Sequence, residues 1–204
     1  HMQSSQNVLW QLAKRVAEGE TGELGRMEKM NAIAKRGLDR IANLVNSLQE
    51  YALSNGSTLW ENFHFDEMVE QQLEYFVDEP GITLGAELKA QTTVYGPLEE
   101  LRQMVVNLVE NAISAVGKGG QIFVNTKVDG NVVVLCVRDN GKGIPPDIQE
   151  RIFDPFFTTK DPGRGLGLGL ALCKKTVDNV QGRITVNSKS EVGTEFIARL
   201  PIVG

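Results

Sequence analysis

Residues 163–170 read GRGLGLGL and run directly into an apolar stretch that is typical of a helix. The glycines at alternate positions leave no Cβ to block an anionic group, and their N–H groups are free to face it. The start of the following helix adds roughly half a positive charge at the same point. A flexible hinge would also use glycines, but the intervening leucines indicate an ordered, partly buried loop. The stretch therefore favours a phosphate-binding loop.

A second glycine motif, DNGKGIP at residues 139–145, directly follows a predicted strand. A simple turn at the end of a strand would use the same residue types, so this motif is weak by itself.

A predicted helix carries Asn107 and Asn111 one turn apart on the same face, while Leu108 and Val109 turn toward the core. A buried amide is costly without a hydrogen-bond partner. Mg²⁺ takes few protein oxygens and keeps waters and phosphates, so the amide oxygen of Asn111 suits this metal. Two ordinary helix-surface asparagines are the alternative.

The segment IFDPFFTTK, residues 152–160, lies between the two glycine motifs. In this order the four segments closely resemble the N box, first G box, F box and second G box of the sensor histidine kinases, over about residues 24–202. FFTTK and GLGLAL look like the nitrogen-regulation type. The resemblance implies an α+β protein, in which a helical hairpin that forms a dimeric four-helix bundle precedes a Bergerat-type α/β sandwich that binds ATP.

The resemblance also implies roles for individual residues. Asp139 would accept a hydrogen bond from the adenine amino group, Thr194 would help to hold the base through water, and Asn111 would ligate Mg²⁺. Residues 145–164 would form a mobile lid. The expected ATP contacts are Asn107, Asn111, Asp139, Gly141, Gly143, Ile144, Arg151, Lys160, Arg164, Gly165, Leu166, Gly167, Leu168, Gly169 and Thr194.

Two positions depart from the family pattern. Many relatives carry Lys or Arg three residues after the metal asparagine, where this chain has Ser114, and Leu166 stands where Thr or Ser is common. The phosphate charge would then depend more on Lys160 and Arg164.

Periodicity divides the chain into a hairpin over residues 3–54 and a catalytic domain over residues 58–204. The second hairpin helix carries a broad apolar stripe at heptad spacing, which favours a homodimeric bundle over packing against its own domain. In the second domain we expect helices at about 66–78, 98–116 and 167–180. Strand hairpins are expected around residues 129–131 and 191–193.

Composition limits the partners. The net charge is −5, which disfavours binding to nucleic acid or a membrane surface, and no apolar run approaches the roughly 18 residues that span a bilayer. Cys136 and Cys173 lie in apolar stretches and predict reduced thiols and a cytoplasmic location.

No residue of this chain is predicted to be the phosphorylated nucleophile. His1 is expected to belong to a vector remnant, and His64 lies past the hairpin, before a helix that we expect Asp66 to cap. Neither fits the family pattern, so we expect the phosphoacceptor to lie outside this chain.

Two functions of different classes follow. The first is an ATP-dependent protein-histidine kinase that passes phosphate on to a response-regulator aspartate. The second is a nucleotide-binding pseudokinase module that regulates partners by dimerising. Direct ATP hydrolysis is disfavoured, because Asn107 occupies the position where gyrase-type and MutL-type relatives have a glutamate base.

Overall fold

The computed structural model describes residues 14, 30, 59–77, 79–160 and 165–202. Apart from residues 14 and 30, the predicted hairpin lies outside the described residues, and so does Arg164. From residue 59 onward, the described residues belong to one compact unit, Ser47–Gly204. The predicted domain boundary at residue 58 stays a prediction.

The described residues of this unit form seven strands and three helices. In chain order they are β1 (Trp60–His64), α1 (Phe65–Leu73), β2 (Ile82–Leu88), β3 (Thr93–Pro97), α2 (Leu98–Ala115), β4 (Gly120–Asp129), β5 (Val132–Asp139), α3 (Gly169–Asn179), β6 (Arg183–Lys189) and β7 (Gly193–Pro201). Short 3₁₀ turns cover Glu74–Phe76 and Pro146–Ile148.

Five strands form one sheet in the order β2-β4-β5-β7-β6. Strand β2 runs parallel to β4, and the other neighbours are antiparallel. The residues of β4 alternate: Ile122, Val124 and Thr126 are buried, whereas Gln121 and Phe123 are exposed. Because successive side chains of a strand point to opposite faces, one face of the sheet meets the core. The two predicted strand hairpins are both present.

The long helix α2 supplies much of the core. Its buried stripe repeats at helical spacing and acidic residues stand in its first turn, where the helix dipole favours them. Val116 is extended, which ends the helix. The core cluster combines residues of α1, α2 and α3 with inward residues of β4, β5, β6 and β7. This arrangement is the predicted sandwich of one sheet and one helical layer.

The start of α1 differs from expectation. His64 occupies the N-cap position, without a side-chain cap, and the helix begins at Phe65. The Asp66 carboxylate instead accepts hydrogen bonds from the Gln91 N–H at 2.8 Å and the Thr126 hydroxyl at 2.5 Å. Asp66 therefore ties α1 to distant strands, a role that local sequence does not reveal.

Within the described part of the chain, no helix is both long and apolar enough to span a membrane.

Candidate functional site

A cavity of about 780 Å³ opens beside α2 and the edge of the sheet. Of the expected contact residues that the structure describes, only Gly141 and Arg151 do not line it. The predicted residues that do line it are Asn107, Asn111, Asp139, Gly143, Ile144, Lys160, Gly165, Leu166, Gly167, Leu168, Gly169 and Thr194.

Helix α2 fixes the spacing of the two glycine motifs. At one level the Asn107 amide donates to the Gly169 carbonyl at 3.4 Å. At another the Lys142 N–H donates to the Ala115 carbonyl at 3.2 Å. Eight residues separate these attachment points, or about 12 Å of helix axis. Asn111 lies midway, so the two loops border opposite ends of one cavity.

Asp139 and Thr194 form the polar group at one end of the cavity. They are opposite each other in the pairing of β5 and β7, and each is only 4% exposed. The Gly141 N–H donates to Asp139 Oδ1 at 2.8 Å. Burial raises the pKa of Asp139 above its ordinary value, while hydrogen bonds from the backbones of Gly141 and Thr194 oppose that rise. A carboxylate in this setting suits a ligand that donates a hydrogen bond.

Gly143 is required by packing within the protein. Its φ is +67°, and an added Cβ would lie 2.2 Å from the Lys189 carbonyl oxygen. The glycine lets the loop after β5 dock against the end of β6. Its expected contact with ATP stays a prediction.

Gly167 plays the matching role in the second loop. Its φ is +69°, and an added Cβ would lie 2.3 Å from the Phe157 carbonyl oxygen. Its own carbonyl accepts the Phe156 N–H at 3.0 Å. Gly167 therefore joins the glycine loop to the IFDPFFTTK segment. Helix α3 begins at Gly169, so its N-terminal N–H groups start within the cavity lining.

The ammonium group of Lys160 lies near Asn111. Lys160 Nζ donates to Ser114 Oγ at 3.0 Å. Burial lowers the pKa of Lys160; the Glu110 carboxylate opposes this change and Lys142 adds to it. Ser114 occupies the helix position where many relatives have a basic residue. Here Lys160 brings an ammonium group to the same place from another segment.

The two asparagines are in different environments. Asn107 is 8% exposed, and its Oδ1 accepts from Gln103 Nε2 at 3.3 Å, so both ends of its amide are engaged. Asn111 is half-buried, and among the described residues its side chain has no hydrogen-bond partner. The unpaired amide of Asn111 lines the cavity and is available to a ligand.

The predicted lid is partly anchored. Ile152 is buried, and Phe153 and Phe157 pack against the core. Arg151 is exposed and lies with its guanidinium 4.6 Å from the Phe157 ring centroid. It therefore packs on this segment and does not line the cavity, and its expected contact with ATP stays a prediction.

Sequence reasoning missed part of the site. Apolar residues from several elements line the cavity, including Ile113, Ile152, Leu172 and Phe196. It also missed Ser188, whose hydroxyl contacts Thr194. The alternation of β6 could have indicated that Ser188 shares a face with buried Ile184.

The histidine within the described residues is far from this chemistry. His64 is exposed, does not line the cavity, and has Nδ1 3.5 Å from Thr93 Oγ1.

Residues 96–204 match the family described as histidine kinase-, DNA gyrase B-, and HSP90-like ATPase. Membership of an ATPase family supports ATP as the nucleotide for this cavity. Sensor histidine kinase ZraS of Salmonella typhimurium is 32% identical over 197 residues, covering 94% of this chain and 42% of ZraS. The chain spans less than half the length of the curated relatives that it matches.

Solved structures agree in fold. The catalytic domain of histidine kinase ThkA is 30% identical with a TM-score of 0.64, covering 71% of this chain and 96% of that domain. A structure of ThkA in complex with response regulator protein TrrA is 27% identical with a TM-score of 0.66, covering 84% of this chain and 50% of that one. The chain therefore belongs to the histidine kinase-, DNA gyrase B- and HSP90-like ATPase family, and its described domain is a histidine kinase catalytic domain.

Proposed function

We propose that this chain is the ATP-binding core of a two-component sensor histidine kinase, which transfers the γ-phosphate of ATP to a histidine outside this chain. The observation that carries the proposal is the single cavity bordered by Asp139 and Thr194 at one end and by residues 165–169 at the other. Asp139 would accept from the adenine amino group. The glycine loop and the start of α3 would hold the phosphates.

Mg²⁺ fits the donor set of this cavity. Among the described residues no cluster of three or more His, Cys, Asp or Glu side chains could cage a metal. One hard oxygen from Asn111 matches a cation that takes most of its ligands from water and phosphate. When bound, Mg²⁺ would neutralise phosphate charge during transfer. Lys160, whose ammonium lies beside Ser114 near Asn111, would contact the same phosphates.

The environment of Asn107 favours transfer to a protein over hydrolysis. Asn107 has no basic atom, and both ends of its amide are already hydrogen-bonded. It therefore cannot activate water as a glutamate would. Positioning by Asp139, Asn111 and the glycine loop then becomes productive only when an acceptor arrives in line.

Two partners belong to the proposal. The ThkA structure contains a response regulator, which supports a receiver domain as the eventual phosphate acceptor for this chain. The heptad stripe within residues 27–51 supports a homodimer. We also propose that the kinase is of the nitrogen-regulation type. Only the FFTTK and GLGLAL segments support this subgroup.

Calorimetric titration with ADP and Mg²⁺ tests nucleotide binding directly. We expect micromolar-range affinity for ADP and at least tenfold weaker binding of GDP, because a 6-oxo group would face the Asp139 carboxylate without a proton between them. Equal affinity for ADP and GDP would contradict the assignment of Asp139. Transfer is tested by adding γ-labelled ATP to a longer chain that includes the preceding native sequence.

A further inference from the structure

Ser188 lies at the centre of a hydrogen-bond network behind the cavity. Its hydroxyl accepts from the Ile144 N–H at 2.8 Å, donates to the Gly193 carbonyl at 3.0 Å, and lies 3.0 Å from Thr194 Oγ1. Gln149 Nε2 also donates to the Ser188 and Ile144 carbonyls, at 3.0 and 2.8 Å. Ser188 does not line the cavity, whereas Thr194 and Ile144 do.

Only one assignment of protons pairs all the groups around the Ser188 hydroxyl. A hydroxyl has one proton and two acceptor positions. The Ile144 N–H can only donate, so it takes one acceptor position, and the Gly193 carbonyl can only accept, so it takes the proton. The remaining contact must run from the Thr194 hydroxyl to the second acceptor position of Ser188. The Thr194 oxygen then has only acceptor positions left for the cavity.

We infer that Ser188 is a specificity-positioning residue, which fixes Thr194 as a hydrogen-bond acceptor and so makes this end of the cavity select a 6-amino purine over a 6-oxo purine. The inference rests on the proposed nucleotide site and adds a residue that does not touch the base. Asp139 also presents an acceptor there, with Oδ1 already bonded to the Gly141 N–H.

The inference predicts an effect on base selection that a general loss of stability would not produce. In Ser188→Ala, the Thr194 hydroxyl loses its acceptor and can rotate to donate into the cavity. A base with a 6-oxo group, such as hypoxanthine, then gains a donor, while adenine loses part of its pairing. The ratio of ADP affinity to IDP affinity should fall by about three- to tenfold, the value of one neutral hydrogen bond.

The experiment measures the affinities of ADP and IDP by calorimetry on the whole chain and six variants, with thermal unfolding as a check of folding. Ser188→Thr keeps the hydroxyl and should keep the wild-type ratio. Gln149→Ala removes the contacts to the Ser188 and Ile144 carbonyls but leaves the Thr194 hydroxyl in place, so both affinities should change together. If Ser188→Ala unfolds the domain, Ser188→Cys replaces it. A thiol is a weaker acceptor than a hydroxyl, so the ratio of ADP affinity to IDP affinity should also fall in this variant.

Thr194→Val tests whether Ser188 acts through Thr194. The ratio should fall in this variant, and adding Ser188→Ala should lower it no further. An unchanged ratio in folded Ser188→Ala, or an equal fall in the Thr194→Val background, would overturn the inference. Failure of the wild-type chain to bind ADP at all would instead overturn the proposed function, so the two failures are distinguishable.

Discussion

The Asn107 amide donates to the Gly169 carbonyl at 3.4 Å and thereby joins the middle of α2 to the first residue of α3. This contact spans 62 residues of sequence. It positions the glycine loop on the helix that carries Asn111, so a residue expected to contact ATP also holds the cavity in shape.

Asn107→Asp tests that link, because it keeps the shape and removes the donor. The partly buried Gly169 carbonyl would then face a carboxylate, and the free energy of unfolding should fall by roughly 1–3 kcal/mol. Gln103→Ala is the control, since it removes only the other contact of Asn107. Urea unfolding measures the free energy of unfolding of both variants. A loss in Asn107→Asp that is no larger than the loss in Gln103→Ala would contradict the link.

Asp139 should make the ligand-free domain less stable as pH rises. Its folded-state pKa is raised by burial, so the folded domain holds this proton at pH values where the unfolded chain has released it. The free energy of unfolding then falls as pH rises from the ordinary aspartate pKa through the raised one. Asp139→Asn should be more stable than wild type at neutral pH, with a difference that shrinks toward acidic pH.

The same variant should bind ADP about tenfold or more weakly, because hydrogen bonds to a carboxylate are charge-assisted. Exposed Asp129, the last residue of β4, gives the matched control Asp129→Asn. Urea unfolding over a pH series and calorimetry together check both effects. Unchanged ADP affinity in folded Asp139→Asn would remove Asp139 from the base-binding end.

Lys160 should distinguish ATP from ADP. Its ammonium lies beside Ser114 near Asn111, and its pKa is lowered mainly by burial, so a bound phosphate should be a favourable partner. Lys160→Met should weaken ATP about ten- to a hundredfold and ADP much less. Lys174→Met is the control, because exposed Lys174 pairs with Asp178 away from the cavity. Equal losses for ATP and ADP would contradict a contact with the terminal phosphate.

The sequence predicted the parts of this domain whose signals are local. Helix α2 was expected at 98–116 and runs over Leu98–Ala115, because its apolar residues repeat at helical spacing. Strands β1 and β3 were not predicted, because they are short and pair across about thirty residues, as in His64 with Thr93. Long-range pairing of this kind depends on tertiary contacts that no local pattern contains.

The candidate site shows the same division. The order of the four motifs was enough to group Asp139, Asn111 and the glycine loop, which line one cavity. The partners of Gly143 and Gly167 could not be predicted, because each glycine makes room for a backbone carbonyl from a distant segment. The stacking of Arg151 on Phe157 could not be predicted either, because the motif does not show which of its side chains contact each other.

The predicted homodimer can be tested by substitutions in the hairpin, most of which lies outside the described residues. Replacing Ile41 and Leu44 with Glu would put charge into a desolvated seam and should give monomers that still bind ADP. Asn43→Glu with Asn46→Glu is the control, because these positions fall outside the apolar stripe. Light scattering at tens of micromolar measures the outcome. A monomer for the unmodified chain would contradict the homodimer.

The last prediction is that this chain binds ATP and barely turns it over. Incubation with γ-labelled ATP should leave it unlabelled, because His64 is exposed outside the cavity and neither His64 nor His1 fits the acceptor pattern. Water is a poor substitute when Asn107 offers no base, so hydrolysis should be slower than about one turnover per minute, far below ordinary enzyme rates. A longer chain with the preceding native sequence should acquire an acid-labile, base-stable phosphate. If the present chain already acquires that label, replacing His64 with Gln identifies whether this residue is the acceptor, and the assignment of the nucleophile to sequence outside the chain is then wrong.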